Sequence, residues 1–91
     1  MLQLRRVVGL SMLPTFRPGA IVLGLKGLRP KAGSIVVAEH DGLELIKRVS
    51  KIGPEGFYLV GDNASRSTDS RTYGWFASQT IKSVIIGSIK S

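Results

Sequence analysis

Cysteine is absent from this 91-residue chain, histidine occurs once, and no acidic residue precedes Glu39. Each scarcity closes off a class of answer. Without cysteine there is no disulfide to supplement the modest core that so short a chain buries, and no thiolate metal site. His40 sits beside a predicted turn with no carboxylate of evident geometry, so it reads as an exposed turn residue and not as the base of a serine–histidine–acid arrangement. No apolar run is long enough to span a membrane, and the N-terminus lacks the apolar stretch of a secretory signal. The expectation is one domain over residues 1–91, cytoplasmic or peripheral on a membrane. Aromatic residues make up only 7%, and no strand interleaves them with basic residues as single-strand binders do. Nucleic acid is therefore not expected as a partner.

The charge leans one way. The formal net charge is +7, and Arg5, Arg6, Arg17, Lys26, Arg29 and Lys31 all precede the first acid. A basic half of this kind suits an anionic neighbour, phospholipid headgroups or nucleic acid, and equally suits a solvated face with no partner. Leu25, Leu28 and Phe16 are the apolar candidates to complete a peripheral contact with an anionic membrane, although core burial is the commoner fate of each.

Periodicity and turn chemistry read as an almost all-β chain with no repeat or linker. Val7-Val8 ends a first strand. Arg17-Pro18-Gly19 is a turn, residues 20–25 a short strand, and 27–33, with Pro30 inside, a loop. Residues 34–40 form a strand, Asp41-Gly42 is a strong two-residue hairpin turn, and 43–52 return beside it. After a turn at 53–56, residues 57–60 are a strand. Residues 62–74 are polar and aperiodic, which in a small domain marks a functional or disordered loop. One helical turn within 75–80 and a last strand over 81–89 complete the chain.

Two residues invite chemistry. Ser11 follows the apolar Val7-Val8-Gly9-Leu10 and precedes Pro14, which disfavours helix at Leu13 and points to a tight turn. A serine there holds its hydroxyl among unpaired backbone N–H groups, the nucleophile and oxyanion donors that acyl transfer needs. Ordinary loops contain such serines too. With Asp41-Gly42 as the turn, His40 pairs with Leu43, Ala38 with Leu45 and Val36 with Lys47. Leu43, Leu45, Lys47 and Val49 then share a face with Val36 and Ala38. Lys47 is a lysine in an apolar register. Desolvation favours its neutral amine and suits it to general-base work, unless it snorkels to solvent at the sheet edge. Arg48, with Glu44 and Ile46 on the other face, reads as an ordinary exposed charge. Glu39 opposite Glu44 is a mildly unfavourable pair for neighbouring arginines to relieve.

These pieces stand in a familiar order. Ser11-Met12-Leu13-Pro14-Thr15 resembles the nucleophile box of the bacterial type I signal peptidases, and Leu45-Ile46-Lys47-Arg48-Val49 resembles their general-base box. Gly61-Asp62-Asn63-Ala64-Ser65-Arg66-Ser67-Thr68-Asp69-Ser70-Arg71, with Gly74 after it, resembles their C-terminal box. Gly33-Ser34-Ile35-Val36-Val37 is similar to their remaining strand box, with Ser34 where Asp is usual. The resemblance covers Gly9 to about Ile86. It implies a small, mostly β signal peptidase/LexA-like catalytic fold and a Ser–Lys dyad, with Ser11 as nucleophile and Lys47 as base. It also implies that Ser67 orients the lysine, and that Asp69 and Arg71, joined by Asp62, form an ionic scaffold beneath. Gly9 stands where many members carry a serine that assists the oxyanion hole, so the hole would rest on backbone N–H, chiefly that of Ser11.

The membrane anchor and the insertion before the base box of housekeeping members are missing from this sequence. The short spacing from Ser11 to Lys47 is nearer the LexA-like self-cleaving repressor peptidases and the small soluble relatives assigned to maturing nickel superoxide dismutase. The C-terminal box argues against the LexA-like branch. The resemblance therefore implies a serine endopeptidase, with no metal or cofactor, that removes a leader segment from a polypeptide bound extended along a strand edge, with small residues such as Ala near the cut. A LexA-like self-cleaving domain is the nearer alternative, and a non-catalytic basic β domain for nucleic acid or anionic lipid the more distant one. Asn63-Ala64-Ser65 also fits a glycosylation acceptor, a tripeptide frequent by chance.

Overall fold

The computed structural model describes residues 1–89. Its strands are β1 (Leu2–Arg6), β2 (Ile21–Leu25), β3 (Ile35–His40), β4 (Leu43–Gly53), β5 (Gly56–Val60) and β6 (Ile81–Ile89). All six belong to one antiparallel sheet in the order β1-β2-β6-β3-β4-β5, so the fold is mostly β as the sequence implies. The first strand ends one residue before the Val7-Val8 pair. Val7 still donates to the Ala20 carbonyl and accepts from Gly19, each at 2.8 Å, which carries the chain into the next turn.

The β3–β4 hairpin turns at Asp41 (φ 51°) and Gly42 (φ 79°), the two positive-φ residues of a type I′ turn whose twist matches its strands. The expected register follows, with His40 opposite Leu43, Ala38 opposite Leu45 and Val36 opposite Lys47. Leu43 departs from the expected apolar face. It is 64% exposed because the turn carries it past the end of the core, and full burial on this face is reached only at Lys47 and Val49. Glu39 and Glu44 do oppose each other, and a lysine and an arginine relieve them: Lys82 lies 2.8 Å from Glu39, and Arg5 lies 2.6 Å from Glu44. His40 is half-buried, not exposed as expected, because it stacks on Tyr73 with ring centroids 3.8 Å apart.

Val36, Ala38, Val49, Phe57, Leu59, Phe76 and Val84 form the main core, with Leu45 and Ile81 packed against it. Val37 is equally buried but points the opposite way, so both faces of β3 are covered. The polar stretch 62–74 contains a 3₁₀ turn, Ala64–Arg66, and one helical turn, Ser70–Tyr73. Asp69 caps the latter by accepting the Arg71 N–H. The helical turn expected within 75–80 shrinks to Ser78–Thr80, because Phe76 bridges Phe57 in strand fashion. Among the described residues, no helix is long and apolar enough to cross a membrane.

The shape of the sheet creates the site. In the sheet order β1 and β4 lie four strand spacings apart, roughly 19 Å in a flat sheet. Yet Arg5 Nε lies 2.6 Å from Glu44 Oε1. The sheet is therefore strongly curled, and register shifts at Leu23/Gly24, Val37/Ala38 and Val49/Lys51 supply local bends. β5 pairs with β4 only from Arg48 onward. Among the described residues, the outer edge of residues 43–47 is left without a strand partner, and the curl brings β1 to face it across a gap.

Candidate active site

The turn that holds Ser11 is tied down from both sides. Gly9 takes φ 79°, the Leu13–Pro14 peptide is cis, and Met12, 1% exposed, anchors the segment in the interior. Phe16 N–H returns to the Met12 carbonyl at 2.9 Å. From the stretch after β5, Asn63 donates its backbone N–H to the Ser11 carbonyl at 2.7 Å and its side-chain amide to the Leu10 carbonyl at 3.0 Å. The Thr15 hydroxyl donates to Asp62. Asp62 in turn accepts Arg48 Nε at 2.7 Å and Nη2 at 2.8 Å, while Arg48 Nη1 reaches the Gly33 carbonyl at 2.8 Å.

This network corrects two expectations. Arg48 is no free surface charge but a half-buried clamp between Asp62 and Gly33. Asp62 does not join the Asp69–Arg71 pair. Alternation along β4 is the reason: Lys47 and Arg48 point to opposite faces, so one meets Ser67 and the other Asp62. Arg48 is the stronger of several influences that lower the Asp62 carboxyl, outweighing burial, with the Thr15 hydroxyl helping. Ser34 Oγ accepts the Lys31 N–H at 2.9 Å and closes the turn before β3.

Lys47 does not snorkel. It is 4% exposed, and its Nζ donates to Ser67 Oγ at 3.1 Å. The Ser67 hydroxyl donates to Asp69 Oδ2 at 2.6 Å. An ionised carboxylate only accepts, so the Ser67 proton is committed to Asp69 and its lone pairs are left to receive a lysine N–H. Asp69, wholly buried, also accepts Gly61 N–H at 2.8 Å, Arg71 N–H at 3.1 Å, Arg71 Nε at 3.0 Å and Arg71 Nη2 at 2.6 Å. Burial alone would raise this carboxyl. The hydrogen bonds from Arg71, Ser67 and the Gly61 backbone together hold it well below the usual carboxylate range. For Lys47, burial pushes the amine below its ordinary value, the Asp69 carboxylate works against that, and Arg71 adds to it.

Gly61 makes the crossing of these segments possible. A Cβ there would fall 2.6 Å from Ser67 Cβ and 2.8 Å from the Ser11 carbonyl oxygen. Ser11, half-buried, and Lys47 line the same groove, of about 140 Å³, between residues 5–8 and residues 44–47. The structure thus places Ser11 and Lys47 on one groove and links Lys47 behind it through Ser67 to Asp69 and Arg71, with Gly9 just before Ser11 and Asp62 attached through Thr15. A desolvated amine favours its neutral form and so is able to accept a proton, as a general base must. Among the described residues, no cluster of His, Asp or Glu is placed to hold a metal ion.

A family model described as Peptidase S24-like matches residues 2–84. The chain belongs to the Peptidase S24-like family. No curated protein matches it. Membership puts this Peptidase S24-like domain in the LexA and signal peptidase superfamily, the coarser of the placements that the boxes imply. The residues that sequence reasoning missed in this domain are Thr15, Asn63 and Arg48. Each adjoins or lies within a box, but their partners are distant in the chain. Asn63, which the sequence offers as a member of the C-terminal box and as a glycosylation acceptor, instead spends its side-chain amide on the Leu10 carbonyl.

Proposed function

We propose that this protein is a serine endopeptidase in which Ser11 is the nucleophile and Lys47 the general base. The observation that carries the reading is the state of the Lys47 amine. It is buried, one N–H is directed at Ser67, and the amine lines the same groove as Ser11. Lys47 would take the Ser11 hydroxyl proton while Oγ bonds to the scissile carbonyl carbon. Collapse of the tetrahedral intermediate breaks the C–N bond, and the lysine ammonium gives its proton to the leaving amine. Lys47 then takes a proton from water as the water oxygen adds to the ester carbonyl, and the lysine ammonium returns that proton to the Ser11 oxygen as its C–O bond to the acyl group breaks. The backbone N–H of Ser11 would bind the oxyanion, with Gly9 letting the chain turn there.

The substrate would enter as an extended strand between the open edge of residues 43–47 and the segment after β1, pairing its backbone with both. Removal of a leader segment is the finer reading, and its support is the four boxes in signal-peptidase order. The family match favours a second possibility, cleavage of the protein's own chain in the LexA-like manner. Incubating the purified protein with and without a panel of Ala-rich peptides, followed by mass spectrometry, tests both. Ser11→Ala and Lys47→Ala should each abolish cleavage, and the double variant should be no worse, because members of one catalytic unit are not additive. Additive losses would refute the dyad. A time-dependent loss of intact mass that Ser11→Ala stops would select self-cleavage.

A further inference from the structure

We infer that Arg5 and Glu44 form a charged clasp along the groove that selects an uncharged substrate side chain about three residues from the scissile bond. The inference rests on the peptidase reading. Glu44 precedes Lys47 by three residues on β4, roughly 10 Å at the strand rise, so the clasp lies about three substrate residues from the reacting groups. It spans the gap itself: Arg5 Nε donates to Glu44 Oε1 at 2.6 Å and Nη2 to Oε2 at 3.2 Å. Arg5 Nη1 is spent on the Leu4 carbonyl at 2.9 Å. The pair is closed on itself and offers neither charge to a ligand.

Its face matters as much as its position. Glu44 shares its β4 face with Ile46 and Arg48, opposite to Lys47. A strand filling the gap needs about two strand spacings between β1 and β4, and the clasp would pass beneath it. Only substrate side chains directed to that face would meet it. An acidic side chain there must draw Arg5 away and leave Glu44 unpaired, and a basic one must do the reverse. A neutral side chain disturbs nothing. The side chains of Arg5 and Glu44 are 33% and 38% exposed, so solvent weakens the penalty without removing it.

The test uses the peptide panel on which the wild-type cleavage site has been mapped, with Gln, Glu or Lys placed in turn at each of the four positions either side of the cut. Wild-type protein should prefer Gln over both charged residues at one position by about two- to fivefold in kcat/KM, the range an exposed ion pair supplies. Glu44→Gln should turn that preference toward Glu, and Arg5→Gln should turn it toward Lys. The exchanged pair, Arg5→Glu with Glu44→Arg, should restore the preference for Gln. If both single variants cleave with wild-type preferences, or lose activity equally on all peptides, the pair only holds β1 in place and the inference is wrong. If the wild type cleaves no peptide and is indistinguishable from Ser11→Ala, the peptidase reading has failed, and the clasp fails with it.

Discussion

Asp69→Asn preserves the size of a side chain while removing the charge on which five hydrogen bonds close. Oδ2 accepts from Gly61, Ser67 and Arg71 Nη2, and Oδ1 from the Arg71 backbone and Nε. An amide offers one acceptor oxygen, and its NH₂ must face donors on the other side. The guanidinium of Arg71 is 42% exposed and can turn to water, so the cost falls on the buried side, at Gly61 and Ser67. Losing charge-assisted bonds there should cost about 2–4 kcal/mol, a large part of the stability of a domain this size. Thermal unfolding followed by circular dichroism at pH 7 should show a fall of roughly 10–25 °C.

The pH dependence supplies a stricter check. The Asp69 carboxyl is depressed in the folded state, so its stabilisation is complete above the unfolded value near about 3.9 and is lost as pH falls below it. The gap between wild type and Asp69→Asn should be full at pH 7 and narrow below about pH 4. Cleavage should fall as well, because Ser67, no longer fixed by a carboxylate, is free to turn its proton toward Lys47. An unchanged Tm at pH 7, or a gap that stays constant into acid, would refute this account of Asp69.

Lys47→Met should end cleavage yet raise Tm, because a desolvated amine destabilises the fold wherever the unfolded chain would hold its proton. Lower stability in this variant would contradict the burial argument. Wild-type turnover should climb with pH and level off below the ordinary lysine value, since only the neutral amine accepts a proton; a plateau at that ordinary value would count against Lys47 as base. Gly61→Ala should lower activity by about a hundredfold, because its methyl would press on both Ser67 and the Ser11 carbonyl; near-normal rates would mean that their spacing does not matter. Leu2 and Leu4, each 58% exposed on β1, share their strand face with the basic Arg6, and Leu28 is 46% exposed, whereas Leu25 and Phe16 are half-buried. Sedimentation with anionic liposomes should show salt-sensitive binding that neutral liposomes lack, and equal partition into both would remove the membrane contact.

How much could be read in advance depended on the range of the interaction. Asp41-Gly42 announces its turn because two successive positive φ angles are a local demand, and the strand period of two then assigns every residue of β3 and β4 to a face. Lys47 in an apolar register was legible for the same reason, whereas Ser67, Asp69 and Arg71 stood out only through the resemblance of their box to that of the signal peptidases. Tertiary structure decided what Arg48 and His40 do, because their partners Asp62 and Tyr73 arrive from elsewhere in the chain. It also separated Asp62 from Asp69. No periodicity encodes the curl that brings Arg5 of β1 to Glu44 of β4, since it sums small bends over the intervening strands. That curl makes the groove, so the sequence could name the candidate nucleophile and base, but only the folded sheet could place an open strand edge beside them.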